Sequence, residues 1–403
     1  MSDRFKQEVL SAFQKVSPSR IDVEDDEVLR RYKQNHYNLF FNKLRFPPEL
    51  FKGKNIIDFG CGTGEVDVVL SSWGALVRGF DFNPISIERA NILKYRFKVP
   101  GELIFSVGDV DSLEIQPSSF DLAVSFGVIA HVPDQRSMFR RMAEATRPGG
   151  FVILGYVEDS GLIQRLLHRA IVRVNADKSD EDIYRIAQFC FKEHIDRSVQ
   201  YGGRTASSVI NDYLVNPHYI GLSSHTLMGW AADMGLEFYS TWPNTDLPFV
   251  VDSPYFKPIA RNSPIYHVFV SLNRLRWLFG QQEDSEVFLD LSTKLKHFSE
   301  DIESFLDGLT NILQKETYTD TALMNFRDQR NAVCEGLEQA GHVVVSYAKK
   351  HLVELTKELE RILELVVSKS QDGKDFDLEK VRGLLFKGYN GLGSSYTIWH
   401  KPA

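Results

Sequence analysis

Between residues 50 and 157, short apolar runs alternate with stretches of helical spacing, and this alternation restricts the fold more than any other feature of the chain. The runs are NIIDF, LVRGF, LIFSV, FDLAVSF and GFVILGYV, and between them lie stretches such as NPISIERANILKYRF and DQRSMFRRMAEAT. Strands that alternate with helices imply βαβ units, because parallel neighbours need a crossover connection. The expectation is an α/β fold, a twisted and mostly parallel sheet with helices on both faces. Five strands fall in this stretch. A sixth, LEFYSTW, follows the helix SSHTLMGWAADMG, which opens on Ser or Thr and ends at Gly235. The last strand should run antiparallel. It is placed at 394–400, with 265–272 (IYHVFVSL) as the alternative.

The flanks have a different pattern. Residues 1–48 are charged and aromatic with helical spacing, and Pro47-Pro48 ends them. From 159 to 221 the strands stop and helices are expected. Beyond 245 the chain is Pro-rich, then aromatic. Phe288, Leu291, Leu295, Phe298, Ile302, Phe305, Leu309 and Ile312 recur at alternating steps of three and four, as do Ala348, Leu352, Leu355, Leu359, Ile362 and Val366. With QKETYTDTA read as the connection, the two runs predict an antiparallel helical hairpin. The expected division is 1–48, an N-terminal helical segment closing over a ligand; 49–158, the sheet core; 159–221, a helical lid; 222–245, core continuation; 246–388, a helical region with the hairpin; and 389–403, the last strand.

The 403 residues carry a formal net charge of −7, a balance that gives no general attraction to nucleic acid or to an anionic membrane. Cys61, Cys190 and Cys334 are far apart with no CxxC pair. This argues against a disulfide scaffold or a metal site and fits the cytoplasm. No run reaches the roughly 18 apolar residues that span a bilayer.

The chemistry centres on NIIDFGCGTGEVD, residues 55–67. A dinucleotide fingerprint needs GxGxxG after a strand, but Gly60, Gly62 and Gly64 bring the third glycine one position early. Asp58, at the strand's end, would repel a pyrophosphate and suit a cation. The stretch resembles motif I of class I S-adenosylmethionine-dependent methyltransferases, in the subgroup similar to ubiquinone and menaquinone biosynthesis methyltransferases. The resemblance covers residues 30–157 well and extends to 222–245. It implies a Rossmann-like seven-stranded methyltransferase sheet with S-adenosyl-L-methionine as cofactor, whose ammonium and sulfonium account for the acid. It further implies cofactor contacts by Asp58 and by the loop of Gly60, Cys61, Gly62 and Gly64. Asp81 and Phe82 would follow at the tip of the second strand, where the acid accepts the ribose hydroxyls. Asp109 would bond the adenine amino group, the Val110 amide would read the ring, and Ser125 would stand at the edge of strand four. Cys61 is read as packing rather than as a nucleophile.

His131 is a candidate general base or substrate contact, or else a histidine that positions its loop with Asp134. Tyr201 and Arg204, in the polar and aromatic segment 194–221, are the other catalytic candidates, and they would suit a small polar or anionic acceptor. No (D/N)PP(Y/F) tetrapeptide follows strand four, where SFGVIAH stands instead, and no paired cysteines suggest carbon-5 methylation of pyrimidines. What remains is oxygen, nitrogen or carbon methylation of a small molecule or carrier-bound metabolite. The other readings are a modifier of a protein or RNA docked by the hairpin, and a non-catalytic cofactor-binding scaffold. The hairpin is also a candidate homodimer arm.

Overall fold

The computed structural model describes residues 2–15, 26–97, 101–176, 179–202, 205–216, 218–245, 264–279, 294–315, 318–339, 346–381 and 394–403. The seven strands are β1 (Asn55–Phe59), β2 (Leu76–Asp81), β3 (Leu103–Val107), β4 (Phe120–Phe126), β5 (Thr146–Val157), β6 (Glu237–Trp242) and β7 (Ser394–His400). They form one sheet in the order β3-β2-β1-β4-β5-β7-β6. The first five pair in parallel, and β7 runs antiparallel between β5 and β6. β1, β4 and the second half of β5 are nearly continuous in buried residues because both faces are covered, whereas β2 and the edge strand β3 each carry exposed side chains.

Before the sheet come α1 (Ser2–Lys15) and α2 (Asp26–Tyr37); α3 (Glu65–Ser72), α4 (Pro84–Arg96) and α5 (Gln135–Ala145) serve as crossovers. Asn83 caps α4 by accepting from the Ile85 amide, and Pro84 occupies the first turn, where its missing N–H costs nothing. The insertion after β5 holds α6 (Ile163–Asn175), α7 (Asp180–Cys190), α8 (Lys192–Gly202) and α9 (Ala206–Ile210). Then α10 (Ser224–Asp233) leads into β6, with Ser223 accepting from the Thr226 amide and Gly235 at φ +68° just beyond its end.

The C-terminal region holds α11 (Pro264–Arg274), α12 (Arg276–Phe279), α13 (Lys294–Gln314), α14 (Asp320–Gln339) and α15 (Ser346–Asp372). This settles the last strand: 394–400 is β7, and 265–272 lies within α11. It also changes the hairpin. Three long helices stand where two were expected, since QKETYTDTA joins α13 to α14 and the second run lies on α15. Phe298, Ile302, Phe305, Leu309, Leu352, Leu355, Leu359, Ile362 and Val366 are buried in one core with side chains of α6 and α7. The described positions of both a/d seams thus pack within the chain. Phe288 and Leu291 lie outside the described residues.

This helical body is tied to the sheet by Arg274, whose side chain is 2% exposed. Its guanidinium bonds Asp159 at 2.6 Å, pairs with Glu303, and lies 3.7 Å from Glu158 at the end of β5. Among the described residues no helix is long and apolar enough to cross a membrane.

The β7 register places Trp399 between two layers, against Phe139 of α5 and Phe238 of β6, with ring centroids 6.4 and 5.5 Å away. Trp399→Ala should cost about 3–5 kcal/mol in chemical denaturation while leaving native far-ultraviolet dichroism at low denaturant. A loss under 1 kcal/mol would mean that β7 is not packed as described.

Candidate functional site

A cavity of about 390 Å³ opens at the carboxyl ends of β1, β2, β3 and β4. β1 lies between β2 and β4, so the crossovers diverge there and leave a crevice, as in other open α/β sheets. Gly60, Gly62, Asp81, Phe82, Asp109, Val110 and His131 all line it.

The loop after β1 is held by its backbone. The Gly60 and Cys61 amides donate to the Phe80 carbonyl at 2.7 and 2.9 Å, and the Gly62 amide donates to Asp81 Oδ2 at 3.0 Å. A Cβ on Gly60 would lie 2.4 Å from Val128 Cγ2, and one on Gly64 would lie 2.6 Å from Phe105 Cζ. Gly62 differs: its φ is +54° and nothing stands within 4 Å of where its Cβ would be. Of the three turn glycines, only Gly62 leaves open room for a ligand where its side chain is missing.

Asp81 also accepts from the Asn83 amide at 2.8 Å, and burial raises its pKa. Asp109 accepts from the Asp111 amide at 3.0 Å and from Lys6 Nζ at 2.6 Å. Lys6 also reaches Asp111 at 2.7 Å, which binds α1 to the cavity rim. The described wall carries the carboxyls of Asp81, Asp109, Asp111 and Asp212 against the single ammonium of Lys6. Such a wall favours a cationic ligand over a pyrophosphate.

Asp58 is buried under the loop and not in the wall; its Oδ1 has no hydrogen-bond partner, and burial pushes its pKa up to about 7. Cys61 is packed beside Gly79, and burial raises its thiol pKa well above the usual range, so it is no nucleophile. Ser125 is fully buried, does not line the cavity, and gives its hydroxyl to the Phe59 carbonyl at 2.8 Å. Its side chain points across the sheet to β1, which its place near the strand end did not reveal.

His131 sits on the wall, but its partner is not Asp134, which caps α5 through the Ser137 amide. His131 Nδ1 lies 2.9 Å from the His218 carbonyl. A carbonyl only accepts, so Nδ1 carries the proton and Nε2 keeps its lone pair. Burial lowers the His131 pKa to about 4. Arg204 lies outside the described residues, as does the side chain of Tyr201, whose backbone belongs to α8.

The sequence reading expected residues 1–48 to close over the ligand but named none of the side chains that α1 and α2 bring to the cavity. Val9, Phe13 and Tyr32 line the cavity, Phe13 meets the His131 ring edge-on at 5.0 Å, and Phe5 stacks on His218 at 3.9 Å. Glu8 bonds His218 Nε2 at 2.6 Å. From the insertion, Asp212 and Tyr219 reach the wall, and Arg165 lies 3.6 Å over the Tyr219 ring. The helical spacing of residues 1–44 was readable, but the individual contacts it makes were not.

A parallel sheet with a glycine turn and acids at successive strand tips defines a class of small-ligand α/β enzymes. Residues 30–240 match the model of the methyltransferase domain family, and the chain belongs to that family. Its cofactor is S-adenosylmethionine, and the residues fit it: the open cradle at Gly62, the orphaned buried oxygen of Asp58 and the acidic wall all suit a cation without phosphate. Similar curated proteins include a ubiquinone biosynthesis O-methyltransferase of Methylobacterium sp. (strain 4-46), 34% identical over 103 residues, covering 26% of this chain and 41% of the relative. Another is the norajmaline N-methyltransferase of Rauvolfia serpentina, 32% identical over 107 residues, covering 26% of this chain and 37% of the relative. A solved S-adenosylmethionine-dependent methyltransferase from Mesorhizobium loti is 27% identical, covering 28% of this chain and 52% of that one, with a TM-score of 0.26. The matched stretches span between 29% and 42% of the first curated relatives.

Because Ser125 braces β4 against β1 without touching the cavity, Ser125→Ala should cost about 1–2 kcal/mol of stability. Affinity for S-adenosylhomocysteine should stay within about twofold. A tenfold loss of affinity in a normally stable variant would return Ser125 to the ligand site.

Proposed function

We propose that this chain transfers a methyl group from S-adenosylmethionine to a small molecule or carrier-bound metabolite held between α1 and the 205–222 segment. One observation carries the reading: a single cavity joins the glycine turn and strand-tip acids to a second wall of Phe13, His131, Asp212 and Tyr219. The first wall suits the cofactor and the second an acceptor. The curated relatives are named as O- and N-methyltransferases, which supports an oxygen or nitrogen acceptor.

When bound, the cofactor supplies an electrophilic methyl whose bond to sulfur breaks, with its electron pair, as the acceptor's lone pair forms the new bond. The chain's own work is alignment and the exclusion of water. We assign the ribose hydroxyls to Asp81, the adenine edge to Asp109 and the Val110 amide, and the methionine portion to the Gly60–Gly62 backbone. Asp109 would then exchange Lys6 for the adenine amino group or share itself between them. α1 and α2 cover the cavity through Lys6, Val9, Phe13 and Tyr32. This supports the N-terminal segment as the element that closes over the cofactor.

His131 is proposed as the acceptor-side residue. Its Nε2 lone pair can receive a hydrogen bond from an acceptor hydroxyl or amine and take the proton released on transfer. With a pKa of about 4 it stays neutral at pH 7, so any loss of activity from its protonation should begin only as pH falls toward 4. Arg165, stacked on Tyr219 behind this wall, donates to the Asp212 and Tyr213 carbonyls and holds the wall in place.

Isothermal titration should give micromolar affinity for S-adenosylmethionine and S-adenosylhomocysteine. Asp81→Ala and Gly62→Arg should each abolish binding of both in folded protein. Normal affinity in either variant would displace the cofactor site. His131→Ala should keep cofactor affinity yet lower turnover about 10²-fold on an acceptor found with labelled cofactor. Unchanged turnover would remove it from the reaction.

A further inference from the structure

A second acid lies beneath the glycine turn. Asp67, on α3, is fully buried, and neither of its carboxyl oxygens has a partner among ordinary donors. Its neighbour is Asp58, the register partner of Gly79, and the two buried carboxyls act on each other. The sheet is shaped to admit it. The residue paired with Asp58 on β2 is Gly79, and a Cβ there would lie 2.6 Å from Asp67 Oδ2 and 2.8 Å from Cys61 Cβ. A glycine in mid-strand weakens a sheet and is kept where another group must approach closely. Here that group is the Asp67 carboxyl.

Two carboxyls buried side by side share a proton, because two buried like charges so close cannot both stay ionised. Among the described residues no cation is paired with them. The groups acting on the pair and its immediate surroundings are Glu65 on α3, Asp81 at the end of β2, the Cys61 thiol in the loop and the Tyr32 hydroxyl on α2; Arg89 of α4 acts on Glu65. Asp58 Oδ1 has no hydrogen-bond partner among the described residues.

We propose that Asp67 is a positioning residue for the cationic end of the cofactor: it keeps a proton and donates it to Asp58, so that the pair holds one negative charge under the glycine loop. This rests on the cofactor reading given above. Without the donor, a carboxyl as deeply buried as Asp58 would itself take up a proton and leave the loop uncharged. With it, the single charge of the pair matches the single ammonium of the ligand. The sign follows directly. Asp58 titrates near pH 7, so affinity should fall as pH drops through that value and level off above it.

The test titrates S-adenosylhomocysteine, which keeps the ammonium, into wild type, Asp67→Asn and Asp67→Leu from pH 6 to pH 9. Asp67→Asn still donates and should follow the wild-type profile. Asp67→Leu has no donor; its affinity should drop at least tenfold at pH 7 and recover toward wild type by pH 9. A wild-type profile in Asp67→Leu, or a loss that is the same at every pH, would overturn the proposal. Should Asp67→Leu fail to fold, the infrared difference between ligand-free wild type and Asp67→Asn decides. A protonated-carboxyl band present only in wild type is expected, and its absence refutes the shared proton. Failure of wild type to bind at any pH would sink the cofactor reading, while the infrared band would still report on the pair.

Discussion

The position of β1 between β2 and β4 governs everything else in this molecule. A parallel strand flanked on both sides sends its crossovers to opposite halves of the sheet, and a crevice must open at its carboxyl end. The chain then has to leave β1, turn, and begin α3 without filling that crevice. Gly60 and Gly64 make the turn possible by lying where Val128 and Phe105 would reject a side chain, and Gly62 keeps the opening clear. The turn is pinned to β2 by the Phe80 carbonyl and the Asp81 carboxylate, so the loop and the second strand tip are fixed as one unit.

That geometry puts several acids in a small volume with little to neutralise them. Burial raises the pKa values of Asp58, Asp67 and Asp81, and that of Glu65 to about 6, the same physical cause acting on four carboxyls around one turn. Such a cluster works against folding, and natural chains keep features of this kind where a ligand repays them. Lys6 meets the outer acids and leaves the inner ones alone. The electrostatics grade from a paired rim to an unpaired floor.

Much of this was legible in the sequence because it is local. Strands and crossovers follow from periodicity, Gly60, Gly62 and Asp81 follow from their place at strand ends, and Asp109 follows from the family resemblance. What could not be read depends on distant pairing. Lys6 meets Asp109 only because α1 folds across the sheet, and Phe13 meets His131 for the same reason. Ser125 stands at the right height on β4 but points to β1. α14 was missed because Arg330 breaks the apolar three-four run that Leu323, Phe326, Val333 and Leu337 otherwise follow. Gly79 and Asp67 each look ordinary alone, and only the register of β1 with β2 brings them together.

The sheet is completed from far along the chain. β7 enters between β5 and β6, yet it is made only after the ribosome has passed through α11 to α15. Until then β5 and β6 each expose an unpaired edge of the kind that invites association between chains. Synthesis of this protein therefore includes an interval in which its central layer stands open, and the helical body that shares a core with α6 and α7 is the part able to form meanwhile. A ribosome that stalls between α15 and β7 would release a chain with its cofactor turn already built and its sheet still unsealed.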